Sequence, residues 1–195
     1  MVDSKRHLCT ILVLKLKKES KMGTRSRIAV MHGTVCKSVY CHWDGYLEHN
    51  GAILQEHYDS SLANQLVAMG DLSSLGTQIG EQHPFSPFVS DTEEFKALPV
   101  AEQERIKAET EASYEAAKEA GYSTFYGRDR GEKDVEWKVA QTFEEFLEQV
   151  DACGGEYYYV MENGVWYCGG MYGDFARRLV RLDEALETVR ETEHA

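Results

Sequence analysis

Hydrophobic and polar positions alternate in short runs from about residue 27 onward. Residues 27–31 and 35–43 are rich in β-branched and aromatic side chains. His32-Gly33-Thr34 between them supplies a turn glycine, so two strands joined as a hairpin are predicted. In the second run Val39, Cys41 and Trp43 share one face, and Tyr40, His42 and Asp44 share the other. Asp44-Gly45 breaks the strand. Asn50 is a good N-cap for a helix over 51–58, and Asp59 or Ser60 caps a second one reaching about Met69. Leu54, Leu62, Leu66 and Val67 supply an apolar face at helical spacing across the two. Residues 70–90 carry so much Gly and Pro punctuation that they predict an ordered loop, with Phe85 and Phe88 exposed or half-buried.

The pattern then changes. Residues 91–120 are dominated by Ala, Glu and Lys, strong helix formers, with Pro99 in the first turn of the main helix. Their apolar stripe (Val100, Ile106, Tyr114) is thin, which predicts a solvent-facing helical insertion on the core. Residues 124–127 and 135–139 read as a second hairpin around a charged turn, 128–133. Thr142 followed by Glu145 forms a capping box for a helix whose buried side is Phe143, Phe146, Leu147 and Val150, ended by Gly154-Gly155. Residues 156–161 and 165–168 flank Asn163-Gly164, a strong hairpin signal. Asp174 caps a last helix bearing Phe175, Leu179, Leu182 and Leu186. The predicted fold class is α+β: an antiparallel sheet built from β-hairpins with helices mainly on one face, plus the insertion. The segments IAVMHGTV…VYCHWDGY and YYVMENGV…WYCGGMYG run alike, either as a loose internal repeat or as two chance-similar amphipathic hairpins.

Composition adds limits. The chain has 195 residues, 43% of them hydrophobic, enough for one domain with a real core. Its formal charge of −12 argues against general nucleic-acid binding. The acidity leaves room for a basic protein surface or for imitation of nucleic acid, and it also suits simple solubility. Five cysteines in no disulfide pattern suit reduced thiols in a cytoplasm. No apolar run approaches bilayer-spanning length.

Residues 1–21 differ from the remainder, with six basic and two acidic side chains. The Lys18-Glu19 codons can read as a ribosome-binding sequence just ahead of Met22. The expectation is a dispensable or non-native extension followed by a single domain over 22–195. The alternative is a genuine amphipathic strand over residues 11–16 that joins the sheet.

Three constellations could carry chemistry. The first is His32, Cys36, Cys41, His42, His49 and His57, but adjacent Cys41 and His42 point to opposite faces of a strand, so no metal site is expected. The second is His42-Trp43-Asp44-Gly45-Tyr46. Trp43 and Tyr46 offer flat faces, Asp44 could accept donors from a ring, and His42 with Asp44 could form an acid–base pair. The structural reading of the same residues puts Trp43 in the core and Asp44 on the turn's N–H groups. The third joins Arg25 and Arg27 with Arg128 and Arg130, basic islands that could meet as one anion site or serve in internal salt bridges.

The opening MGTRS, the signature VYCHWDGY followed by EHNGAILQEHY, and the later TFYGRDRG resemble a family of small bacteriophage proteins of unassigned function. The resemblance implies an accessory protein in the cytoplasm of an infected bacterium, working without catalysis and without a cofactor, by binding and inhibiting a host or anti-phage defence protein. The alternative is a nucleotide- or small-ligand-binding protein, sequestering or enzymatic, that uses the His42–Asp44 region and the nearby arginines. Homo-oligomerisation stays open.

Overall fold

The computed structural model describes residues 23–85, 93–172 and 177–193. Strands β1 (Ser26–His32) and β2 (Val35–Cys41) form the first hairpin, with His32 opposite Val35 and Gly33 turning at φ +63°. A π-helical turn (Leu47–Gly51) runs into α1 (Ala52–His57), and α2 (Ser60–Ala68) follows, with Asp59 accepting the N–H of Leu62 at 2.9 Å. Next come β3 (Leu72–Ser74), α3 (Glu93–Lys96), α4 (Val100–Glu119), β4 (Thr124–Phe125) and α5 (Tyr126–Arg130). The chain continues through β5 (Lys138–Ala140), α6 (Phe143–Ala152), β6 (Tyr157–Glu162), β7 (Val165–Gly170), β8 (Val180–Arg181) and α7 (Leu182–Glu193).

The eight strands among the described residues make one mostly antiparallel sheet in the order β4-β3-β2-β1-β6-β7-β8, with β5 paired to β2, so the α+β class holds. The two hairpins meet through a parallel β1–β6 pairing, and β2–β3 is also parallel. One face of the sheet (Ile28, Val30, Val39, Tyr159) packs under the π-turn, α1, α2 and α7, through Leu47, Leu54, Leu66, Leu182 and Leu186. The other face (Ala29, Cys36, Tyr158, Val160) packs under α6 through Phe146, Leu147 and Val150. Helices therefore lie mainly, but not solely, on one side. The two similar hairpin segments pack differently: Val30 faces the first layer, while the sequence-matched Val160 faces the second.

Four expectations are corrected. The last helix starts at Leu182, after β8, so Leu179 is not on it: Leu179 packs on the α6 layer, while Leu182 and Leu186 pack on the first. Residues 124–139 do not form a hairpin: β4 pairs with β3, and β5 pairs with β2. The Phe125 N–H donates to Asp129 at 2.7 Å and curls the chain into α5, which Gly131 closes at φ +69°. Asn50 does not cap a helix; it lies fully buried inside the π-turn. The loop over 70–90 contains β3, because Leu72 reaches the end of β2. Phe88, Asp174 and Phe175, like the whole segment 1–22, lie outside the described residues.

The thin stripe of α4 is real: its buried residues are Thr110 and Ala117, and its surface carries Arg105 paired with Glu102 and Glu109. The Thr142 cap forms, with the Glu145 N–H donating to Thr142 at 3.1 Å, while the Glu145 carboxylate reaches one residue past the expected box and accepts the Gln141 N–H at 2.6 Å.

Candidate binding site

Residues 42–51 leave the end of β2 and turn back under the sheet, and two residues hold that path. A Cβ on Gly45 would stand 2.9 Å from the Arg25 backbone, the Ser26 side chain and the Thr24 carbonyl, so only glycine fits. Its N–H donates to Thr24 at 2.8 Å, and its carbonyl accepts the Tyr159 hydroxyl at 2.8 Å. Asn50 is the second anchor. Its Nδ2 donates to Ser26 Oγ and to the Trp43 carbonyl, both at 3.3 Å, and lies 3.4 Å from Cys41 Sγ. Its backbone N–H reaches the Asp44 carbonyl at 3.3 Å. Asp44 itself takes φ +56°, a left-handed conformation that Asp tolerates better than most residues.

This scaffold pushes Trp43 outward. β2 ends at Cys41, so the strand alternation stops before Trp43, which is 43% exposed instead of joining the core. Its backbone stays fixed: the N–H groups of His42 and Trp43 donate to Leu72 and Ser73 of β3 at 3.1 and 3.0 Å. The His42 and Trp43 rings meet edge-on with centroids 4.6 Å apart. His42 does not pair with Asp44. Its Nδ1 lies 2.6 Å from the Tyr40 hydroxyl, and Asp44 meets the turn through its backbone carbonyl instead of its carboxylate. Tyr46 starts the π-turn, tilts against His49 and packs on the first hydrophobic layer, so it belongs to the scaffold.

The four arginines separate into two pairs. Arg27 is buried, donating to Ser38 Oγ and to the Ser38 carbonyl at 3.1 Å each, on the α6 side of the sheet. Arg128 directs its donors inward, to Asp129 and to the carbonyls of Ile79, Gly80 and Ser123. Both are structural. Arg25, by contrast, precedes Ser26, which pairs with Cys41, so it stands at the same end of the hairpin as His42. Burial, then the Arg25 and Arg130 charges, lower the His42 pKa. Arg130 lies 4.3 Å over the Tyr126 ring and 4.8 Å over Phe85, and it pairs with Glu132 at 2.7 Å. Arg25 is exposed and has no carboxylate within 4 Å among the described residues.

Of the eight residues singled out from sequence, the structure thus gathers Arg25, His42, Trp43 and Arg130 on one face and assigns Arg27, Asp44, Tyr46 and Arg128 to the framework. It adds two that sequence reasoning missed. Tyr40 and Tyr126 stack nearly parallel, with centroids 6.4 Å apart and 12° between planes. Tyr40 was legible, since it shares a strand face with His42. Tyr126 was not, because its segment read as a strand. Burial, then Tyr126, push the Tyr40 hydroxyl up to about 12 against the pull of Arg25.

Comparison with known proteins finds no matching family model, curated protein or solved structure. No helix among the described residues is long and apolar enough to cross a membrane. Cys36 lies in the second layer and Cys41 in the first, so they share no ligand geometry, and burial pushes both thiols up to about 12. The described residues contain no group of three or more His, Cys, Asp or Glu placed to hold a metal.

The lowered His42 pKa has a measurable effect. The unfolded chain protonates this ring as pH falls through its ordinary value of about 6.5, while the folded chain resists protonation until lower pH. Its contribution is therefore fully present above that value and is lost as pH falls below it. His42→Gln is expected to flatten the acid limb of a melting-temperature profile below about pH 6.5. An unchanged limb would show that neither burial nor the two arginines hold this ring's pKa down in the folded chain.

Proposed function

We propose that the protein is a phage accessory protein that acts in the cytoplasm of the infected bacterium by binding and inhibiting a host or anti-phage defence component, without catalysis. The phage part of this reading is supported by the resemblance carried by MGTRS and VYCHWDGY. The binding part is supported by one observation above the others: Trp43 stands 43% exposed on a backbone pinned by Gly45 and Asn50. Around it lie His42, the Tyr40–Tyr126 stack, Arg25 and Arg130. Trp, Tyr and Arg are the residue types that most often dominate binding energy. A rigid support lowers the entropy lost on association. The engagement of His42 by Tyr40, and not by Asp44, counts against the acid–base pair that an enzymatic reading would use. The acidic surface would speed encounter with a basic partner.

Capture from infected cells tests this reading. The tagged full chain should retain one partner stoichiometrically, Trp43→Ala should lose it with an unchanged melting temperature, and a Gly/Ser replacement of α4 should keep it. Loss of the partner on replacing α4, with retention by Trp43→Ala, would move recognition to the acidic helix and overturn the assignment of this face.

A further inference from the structure

The chemistry of this face points to the class of ligand it recognises, an inference that rests on the reading of the face as the recognition surface. We infer that it takes a nucleotide, with the base stacked on Trp43 and a phosphate held by Arg25 beside His42.

The anion end is argued from charge. Among 33 acidic and 21 basic residues, most described arginines lie against carboxylates: Arg105 on Glu102, Arg177 on Glu144, Arg181 on Asp183. Arg25 departs from that pattern, being exposed with no carboxylate within 4 Å among the described residues. A guanidinium left open on an acidic protein is a ready fork for a phosphate. One carboxylate, Glu156, feels its charge: burial pushes that carboxyl up while Arg25 pulls it down. Arg130 adds a second positive charge near His42.

A proton relay supplies a second donor. Burial keeps the Tyr40 hydroxyl protonated at neutral pH, although the Arg25 charge pulls the other way. Tyr40 can then donate its proton to His42 Nδ1 at 2.6 Å. The neutral imidazole is thereby fixed with its hydrogen on Nε2, which makes no hydrogen bond among the described residues. Nε2–H and the Arg25 fork together offer donors to phosphate oxygens. The ring end is argued from Trp43, whose exposed indole is held edge-on to His42 and cannot fold back onto the core. Stacking of a base on an aromatic side chain contributes about 1–3 kcal/mol. The charge of −12 disfavours a long strand, whose many phosphates would be repelled, and favours a single small anion.

Calorimetric titration of the full chain with AMP, GMP, CMP and UMP tests the inference, with adenosine and ribose 5-phosphate as probes lacking one half. At least one nucleotide should bind with a Kd below about 100 µM, and each half-probe at least about tenfold more weakly. Arg25→Gln and Trp43→Ala should each weaken the nucleotide by at least about tenfold, while Arg105→Gln on α4 leaves it unchanged. Absence of binding by all four nucleotides, or equal binding by Arg25→Gln, overturns the inference. A ten-nucleotide single strand that binds more tightly than any mononucleotide overturns it as well. If nucleotides fail while Trp43→Ala still loses the captured partner, the ligand class falls and the recognition face stands. If nucleotides bind while partner capture ignores Trp43, the ligand class stands and the proposed mode of inhibition falls.

Discussion

Replacement of Asp129 by alanine is expected to destabilise the fold by about 3–5 kcal/mol, a large part of the roughly 5–15 kcal/mol that holds a domain together. The Asp129 side chain has no exposed surface. It accepts from Arg128 Nε at 2.8 Å and Nη2 at 2.9 Å, from the Phe125 N–H at 2.7 Å and from the His83 N–H at 3.1 Å. Arg128 carries the same knot onward to the carbonyls of Ile79, Gly80 and Ser123, and it lies 4.8 Å over the Phe125 ring. Removal of the carboxylate leaves a mostly buried guanidinium uncompensated and frees two backbone donors. The loop before α3, strand β4 and helix α5 would lose their common tie. The exposed Arg105–Glu102 pair on α4 is a control: its loss should leave the midpoint nearly unchanged, because water screens it. Urea denaturation of both variants measures the contrast. An Asp129→Ala midpoint within experimental error of wild type would show that the knot contributes little. Replacement of both Arg128 and Asp129 by apolar residues of similar size should recover part of the loss, since it removes both charges together.

The same knot shows why sequence pattern reached some elements and not others. Both hairpins with tight Gly turns were legible, because alternation and turn chemistry agree within a few residues of each other. The Thr142 cap of α6 and the thin stripe of α4 were legible for the same local reason. Residues 124–130 were not. Thr124 and Phe125 favour a strand, but Asp129 draws in the Phe125 N–H, and the buried pairing with Arg128 turns residues 126–130 into a helix. No local propensity encodes a partner 46 residues away such as His83. The candidate site was half legible. Arg25, His42, Trp43 and Arg130 could be named, but the alternation that placed Trp43 in the core assumed that β2 continues past Cys41. Hydrogen bonds to β3 and the Gly45 turn end it there. The parallel β1–β6 pairing joins segments more than 100 residues apart, and no single strand announces it.

Asn50→Ala is expected to cost about 2–4 kcal/mol and to abolish binding through the Trp43 face at the same time. Asn50 is fully buried, and its amide is shared among Ser26 Oγ, Cys41 Sγ and the Trp43 carbonyl. Truncation to alanine removes those donors, leaves the Trp43 carbonyl short of a partner and opens a small cavity beneath the turn. The Oδ1 contact to His49 Nδ1 at 3.0 Å is lost too, but His49 is only part-buried and water can replace it. The backbone after His42 would then be held mainly by Gly45 and by the two bonds to β3, so the indole would sample orientations that the native turn excludes. This separates Asn50 from Trp43 as a test. Trp43→Ala should lose binding at unchanged stability, because it removes a contact from a standing scaffold. Asn50→Ala should lose both, and its binding should stay impaired even at low temperature where the protein remains folded. His49→Ala, which touches the same amide from its wetter side, should change stability by less than about 1 kcal/mol and leave binding intact. Chemical denaturation and partner capture measured on all three variants decide the matter. Full binding by folded Asn50→Ala would mean that the rigidity of this turn plays no part in recognition.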